Sequence, residues 1–190
     1  QGADRIADPV AVARSSPQPG RVLINIGRAG ILPEGDTMNL ANADVALSAV
    51  AGREYRLRDV LAPVRAHYAW ILLDCPPSLS LLPLNALVAS DAFLVPVTPQ
   101  YLAVEGLVNL LDAVTRLQAG IGTTVPLLGL LLTLVDARAR ATRDLVTMLR
   151  TQYGSQVFTT EIRINVRLSE APSFGQPIFT YAPTSAGAAA

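Results

Sequence analysis

An α/β fold, a three-layer, mostly parallel sheet flanked by helices, is what the sequence predicts, from three observations. The stretches "WILLD", "AFLVPV" and "PLLGLLLTLVD" are strand-length and apolar on both faces. Segments with helical spacing of apolar residues separate them. Each apolar run stops at a polar residue or a proline, at Asp74, Thr98 and Asp136. Strands covered on both faces and alternating with helices are the signature of a parallel sheet between helical layers.

The elements follow in chain order. Residues 1–20 are poorly patterned, and "ARSSPQPG" is a connector rich in serine, proline and glycine. "RVLINIG" and "GILPEG" are expected as short strand pieces bounded by glycine and proline. "DTMNLANADVALSAVAG" is expected as a helix, capped by Asp36 or Thr37 and stopped by Gly52. "EYRLRDVLAPVRAHY" places Leu57, Val60, Leu61 and Val64 at helical spacing, against which Pro63 counts. After "WILLD" come a short helix, "LLPLNALVAS", and the strand "AFLVPV". "YLAVEGLVNLLDAVTRLQAG" is a long amphipathic helix expected to close at Gly120. The strand "PLLGLLLTLVD", the helix "RDLVTMLRTQYG" with Gly154 past its end, and the strand "QVFTTEI" complete the pattern. No internal repeat is present, and the 190 residues are expected to form a single domain.

Composition narrows the function. Apolar residues make up 51% of the chain, yet no uncharged run approaches the ~20 residues of a membrane-spanning helix. The opening "QGADRIADPV" carries charges and Pro9 where a signal peptide needs an apolar core. Cys75 is the single cysteine, which excludes an internal disulfide and a cysteine-cluster metal site. A reducing compartment fits, with cytoplasm as the default. Formal net charge is zero, but all fifteen basic residues are arginine. Six of them (Arg138, Arg140, Arg143, Arg150, Arg163, Arg167) fall between 138 and 167 against two acids, Asp144 and Glu161. Such a local patch suits a solvated helix face or a nucleic-acid surface.

In parallel α/β sheets, ligands bind beyond the carboxyl ends of the strands. Asp74, Thr98 and Asp136 stand at those ends, so Asp74 either caps the next turn or faces a ligand. His67, alone beside Tyr68, reads as a surface residue. Cys75 reads as a buried structural thiol, since no histidine is placed to activate it. Glu105, in "AVEG", is expected to open a helix and to interact with its dipole.

Four ordered blocks then carry a resemblance: "DCPPSLSLLPLNAL" (74–87), "PVTPQYLAVEGL" (96–107), "GLLLTLVDAR" (129–138) and "NVRLSEAPSFGQPI" (165–178). From about residue 30 onward the chain resembles the ParA/Soj family of chromosome and plasmid partition ATPases, relatives of the MinD group. The resemblance implies a P-loop NTPase-like fold that binds ATP and Mg²⁺, dimerises on ATP, and binds DNA nonspecifically near the nucleoid. It also implies release on hydrolysis stimulated by a ParB-type partner. Asp74 matches the aspartate of the second Walker motif, which holds Mg²⁺ through water and serves hydrolysis. Pro76 and Pro77 begin the switch that follows. Asn165 falls in the loop near the adenine, and Arg138 and Arg167 match arginines used against DNA phosphate. No membrane partner is implied.

The chain departs from that family in two places. It contains no lysine, so the Gly-rich phosphate loop with its lysine is not in it. The expectation is therefore the C-terminal three-quarters of such a domain, without its N-terminal strands and P-loop, and inactive by itself. The family's "I-P-R-N" also reads "IRIN" (162–165), with Arg163 for the proline and Ile164 for the arginine. Two alternatives stand beside the leading one: a nucleotide-free DNA-binding or scaffolding paralogue, and a MinD-like positioning ATPase.

Overall fold

The computed structural model describes residues 21–25, 50–76 and 80–190, in two compact units that divide between Asp91 and Ala92. The expected strand "GILPEG", the helix from Asp36 to Gly52 and the switch residue Pro77 lie wholly or mostly outside the described residues.

In the first unit, β1 (Arg21–Asn25) and β2 (Trp70–Asp74) pair in parallel, with Arg21 opposite Trp70 and Asn25 opposite Asp74. β2 is apolar on both faces but covered on one, because Trp70, Leu72 and Asp74 are exposed and alternate with half-buried Ile71 and Leu73. Helix α1 spans Arg56–Leu61. It is shorter than the sequence period suggests. Pro63 has no N–H to give to a helix, and the chain tightens instead into 3₁₀ bonds, Val64 N–H to Leu61 O and His67 N–H to Val64 O. The apolar period survives this break, since Leu57, Leu61 and Val64 are buried together with Ala86 and Ala89 of α2 (Leu81–Ala89). Asn85 sits among them at 3% exposure. Its Oδ1 accepts from Leu57 N–H at 3.1 Å and its Nδ2 donates to Leu81 O at 2.9 Å. Both ends of a buried amide are thereby satisfied.

The second unit is built on a three-stranded parallel ladder in the order β3 (Phe93–Val97), β4 (Leu127–Val135), β5 (Val157–Arg163). Two crossover helices join the strands, α3 (Tyr101–Ile121) and α4 (Arg140–Tyr153). The strands advance in one direction, and right-handed crossovers then bring both helices to the same face. Leu107 of α3 and Leu149 of α4 accordingly share one core with Val95, Val97, Leu130, Leu132, Val135 and Val157. Leu130, Leu132 and Leu149 have no exposed surface. Burying side chains of this size stabilises by about 1.5–3 kcal/mol each. The core of this unit therefore lies under β4.

Helix α3 runs through Gly120, which takes no part in ending it. Gly122 does so, in the left-handed conformation (φ 70°), with its N–H bonded to Gln118 O. Glu105 lies a full turn inside α3, exposed, and is not in its first turn. Gly154 ends α4 as expected, its N–H bonded to Arg150 O.

β4 departs from regular pairing in ways the sequence does not show. Leu127 and Gly129 face consecutive residues of β3, so Leu128 is an extra residue and is exposed. Nearer the carboxyl end, Thr133 faces Ile162 and Val135 faces Arg163, so Leu134 is a second bulge. It is exposed and left-handed (φ 53°), a conformation rare for a leucine. Gly129 is needed for close approach: a Cβ there would meet Gln156 O at 2.9 Å and the Phe158 ring at 2.8 Å. On β3, Phe93 N–H donates to Pro126 O at 3.1 Å. Alternation along the strand then turns the nitrogens of Leu94 and Pro96 away from β4, where a proline costs no ladder bond.

The chain ends in three short helices, α5 (Val166–Glu170), α6 (Ile178–Tyr181) and α7 (Ala186–Ala189). No helix among the described residues is long and apolar enough to cross a membrane.

Candidate functional site

The strand ends are where the chemistry collects. Asp74 is the last residue of β2 and is exposed, with Cys75 and Pro76 following it. Cys75 is exposed as a residue, not buried as its sequence context suggests. Its sulfur lies within hydrogen-bond range of Leu73 O, at 3.5 Å. Local burial, and then the adjacent Asp74 carboxylate, push the thiol up to about 11. A thiol held protonated in this way is a poor nucleophile. His67 is exposed at the end of a 3₁₀ turn, as expected.

In the second unit, Thr98 follows β3 and Asp136 follows β4. Asp136 does not project freely. Its Oδ1 accepts from Arg138 N–H at 3.0 Å, and its carbonyl accepts from Ala139 N–H, which folds the chain into a turn ahead of α4. Arg143 locks that turn by donating to Ala137 O (2.9 Å) and Arg138 O (3.0 Å).

Asn165 follows β5 and caps α5, its Oδ1 accepting from Arg167 N–H at 2.9 Å. Arg167 pairs with Glu170 at 2.8 Å, and Tyr181 O–H donates to the same carboxylate oxygen at 3.0 Å. These two partners hold the Glu170 carboxyl below the usual carboxylate range, and Glu170 holds the Arg167 guanidinium above its ordinary value. Phe174 stacks on Tyr181 with ring centroids 5.0 Å apart, so the loop between α5 and α6 is tied at several points.

Arg138, Asn165 and Arg167 thus stand beyond the ends of the adjacent strands β4 and β5, joined where Ile164 N–H donates to Val135 O. Asp74 belongs to the other unit. The arginine patch is divided in its duties. Arg150 is structural, donating to Phe158 O (3.1 Å) and to Glu161 (2.9 Å) from a position one-third exposed. Arg140 makes a loose, fully solvated pair with Asp144. The sequence reading missed Asn85, whose type and position inside "LLPLNALVAS" signal only a turn former or a helix cap.

No cluster of three or more His, Cys, Asp or Glu suited to a metal occurs among the described residues. One carboxylate at a strand end still fits Mg²⁺, which keeps most of its waters and takes its other ligands from nucleotide phosphates.

Residues 26–126 match a protein family described as an AAA domain. The chain is also similar to the sporulation initiation inhibitor Soj of Bacillus subtilis, 43% identical over 80% of this chain and 60% of that protein. The chromosome partitioning protein ParA of Myxococcus xanthus is 44% identical over 80% of this chain and 53% of its own length. The chain belongs to that AAA-domain family. Among solved structures, the ATP complex of a Cyanothece McdA variant superposes with a TM-score of 0.73. That match covers 90% of this chain and 82% of McdA at 14% identity, which is evidence of shared fold alone. The chain spans 53–60% of the length of these curated relatives.

Proposed function

We propose that this chain is the part of a partition ATPase that carries the second Walker aspartate and the DNA-facing strand ends. The observation that supports it best is Asp74, exposed at the carboxyl tip of an apolar parallel strand and followed by Cys75 and Pro76. In this reading Asp74 orients Mg²⁺ through water, and Pro77 belongs to the switch that senses the γ-phosphate. Asn165 lies near the adenine. ATP binding brings two copies together, and the dimer binds DNA without regard to sequence. Arg138 and Arg167 face its phosphates, because a planar guanidinium suits phosphate and carries no base specificity. A ParB-type partner stimulates hydrolysis and release.

Phosphoryl transfer depends on positioning and charge stabilisation around the phosphates. The chain has no lysine for that cradle. By itself it is expected to show no Mg²⁺-dependent ATP turnover. Fused behind the lysine-bearing loop segment of a relative, it is expected to turn ATP over, and Asp74→Asn to remove most of that activity. Turnover by the 190-residue chain, or a fusion whose activity survives Asp74→Asn, overturns the reading. The absence of lysine also supports a second reading, a DNA-binding paralogue that uses no nucleotide. Under it, the fusion binds DNA equally with and without ATP.

A further inference from the structure

Two arginines at the ends of adjacent strands have no side-chain partner among the described residues. The side chains of Arg138 and Arg163 are exposed and make no hydrogen bond or ion pair among the described residues. Three of the other arginines in this stretch are committed, Arg143 to the Ala137 and Arg138 carbonyls, Arg150 to Glu161 and Arg167 to Glu170, while Arg140 makes only its loose pair with Asp144. Arg163 is the last residue of β5 and stands opposite Val135, three positions before Arg138. The bulge at Leu134 sets that register, since it absorbs one residue of β4 and leaves Val135 level with Arg163. The sole acid in the turn, Asp136, spends one oxygen on the Arg138 N–H.

We infer that Arg163, together with Arg138, is a phosphate contact of duplex DNA, at the position where "IRIN" departs from the related "IPRN" pattern. This rests on the DNA-binding reading above and extends it to a residue that the family pattern does not supply. Arg167 must give up Glu170 before it reaches a phosphate. Arg163 has no partner among the described residues to give up. An anion of any origin satisfies the same guanidinium, so the nucleotide's own phosphates are the competing source. Two exposed cations at the ends of neighbouring strands, with Arg140 exposed two residues beyond Arg138, suit a backbone of repeated phosphates better than one enclosed triphosphate.

The test uses the ATP-bound full-length protein and a labelled DNA duplex, with affinity measured across a series of salt concentrations. Arg163→Ala and Arg138→Ala are each expected to reduce the slope of log affinity against log salt by about 0.9, equally for unrelated sequences. Arg163→Lys is expected to keep the slope, which a purely structural role would not do. An Arg138 variant with reduced slope beside an unchanged Arg163→Ala overturns the inference and leaves the DNA reading standing. Unchanged slopes in both, or no DNA binding at all, overturn the two together. Weakened ATP affinity in Arg163→Ala, with the DNA slope intact, assigns the phosphate to the nucleotide and also overturns the inference.

Discussion

Leu57 N–H at the start of α1 and Leu81 O at the start of α2 share one side chain, that of Asn85. Its buried neighbours are leucine, valine and alanine, with Tyr68 and Leu73 packed against them, and at 3% exposure it has little access to water. Asn85→Ala is therefore expected to cost about 1–3 kcal/mol, the penalty for stranding a buried donor. Urea denaturation monitored at Trp70 measures it, and a loss below half a kilocalorie counts against the network. Cys75 makes the opposite case at the same scale, since its neighbours raise a pKa instead of satisfying a bond. With the thiol pushed up to about 11, its alkylation is expected to be slow at neutral pH and to climb through alkaline pH. Asp74→Asn removes the smaller of the two causes and is expected to bring the midpoint down only part of the way. A midpoint near the ordinary thiol value in the unmodified chain refutes this.

Between one element and the next, the Leu134 bulge is where local preference and tertiary pairing disagree. A leucine in the left-handed region costs roughly 1–2 kcal/mol. The side chain is 59% exposed and recovers little by burial. Leu134→Gly removes that strain and adds chain entropy of about 0.5–1 kcal/mol to the unfolded state, so stability is expected to hold or rise slightly. Leu134→Ile puts a branched side chain where it fits worst and is expected to destabilise by at least the original strain. Thermal melts of the pair check the order, and an isoleucine variant as stable as the glycine variant removes the bulge from consideration. The same strand shows what the sequence could and could not reveal. β2, β3, β4 and β5 were legible because apolar runs bounded by Asp74, Thr98 and Asp136 have few other solutions in an α/β chain. Those boundaries also located the strand ends. Nothing in "LLLTLVD" marks Leu134 as left-handed, because the bulge is imposed by pairing with β5. Gly120 and Gly122 are equally good stops by composition, and only the conformation of the second decides. The duties of the arginines were illegible for a similar reason: Arg150 meets Glu161 across a helix and a strand, a contact that exists only once the chain has folded.

Across the molecule, burial is unevenly shared. β4 has ladder partners on both sides and contains the fully buried Leu130 and Leu132, while β2 has one partner among the described residues and an exposed apolar face. Local opening free energies follow such differences. Backbone amides of residues 129–133 are expected to exchange with deuterium most slowly, and those of 70–74 markedly faster. Mass spectrometry of the two peptides decides it, and equal rates contradict the burial argument. Pro96 carries this unevenness to the edge of the second unit's ladder. An edge strand invites further strands by offering donors and acceptors in turn. Here the turned-away nitrogens are those of Leu94 and Pro96, and the second has no hydrogen to give. Open-ended stacking of chains along β3 is checked at that point, without any charged side chain to repel it. A strand that does complete this edge must carry one carbonyl opposite Pro96 that the ladder leaves unanswered, so that water or a bound molecule near the strand ends becomes the partner of that oxygen.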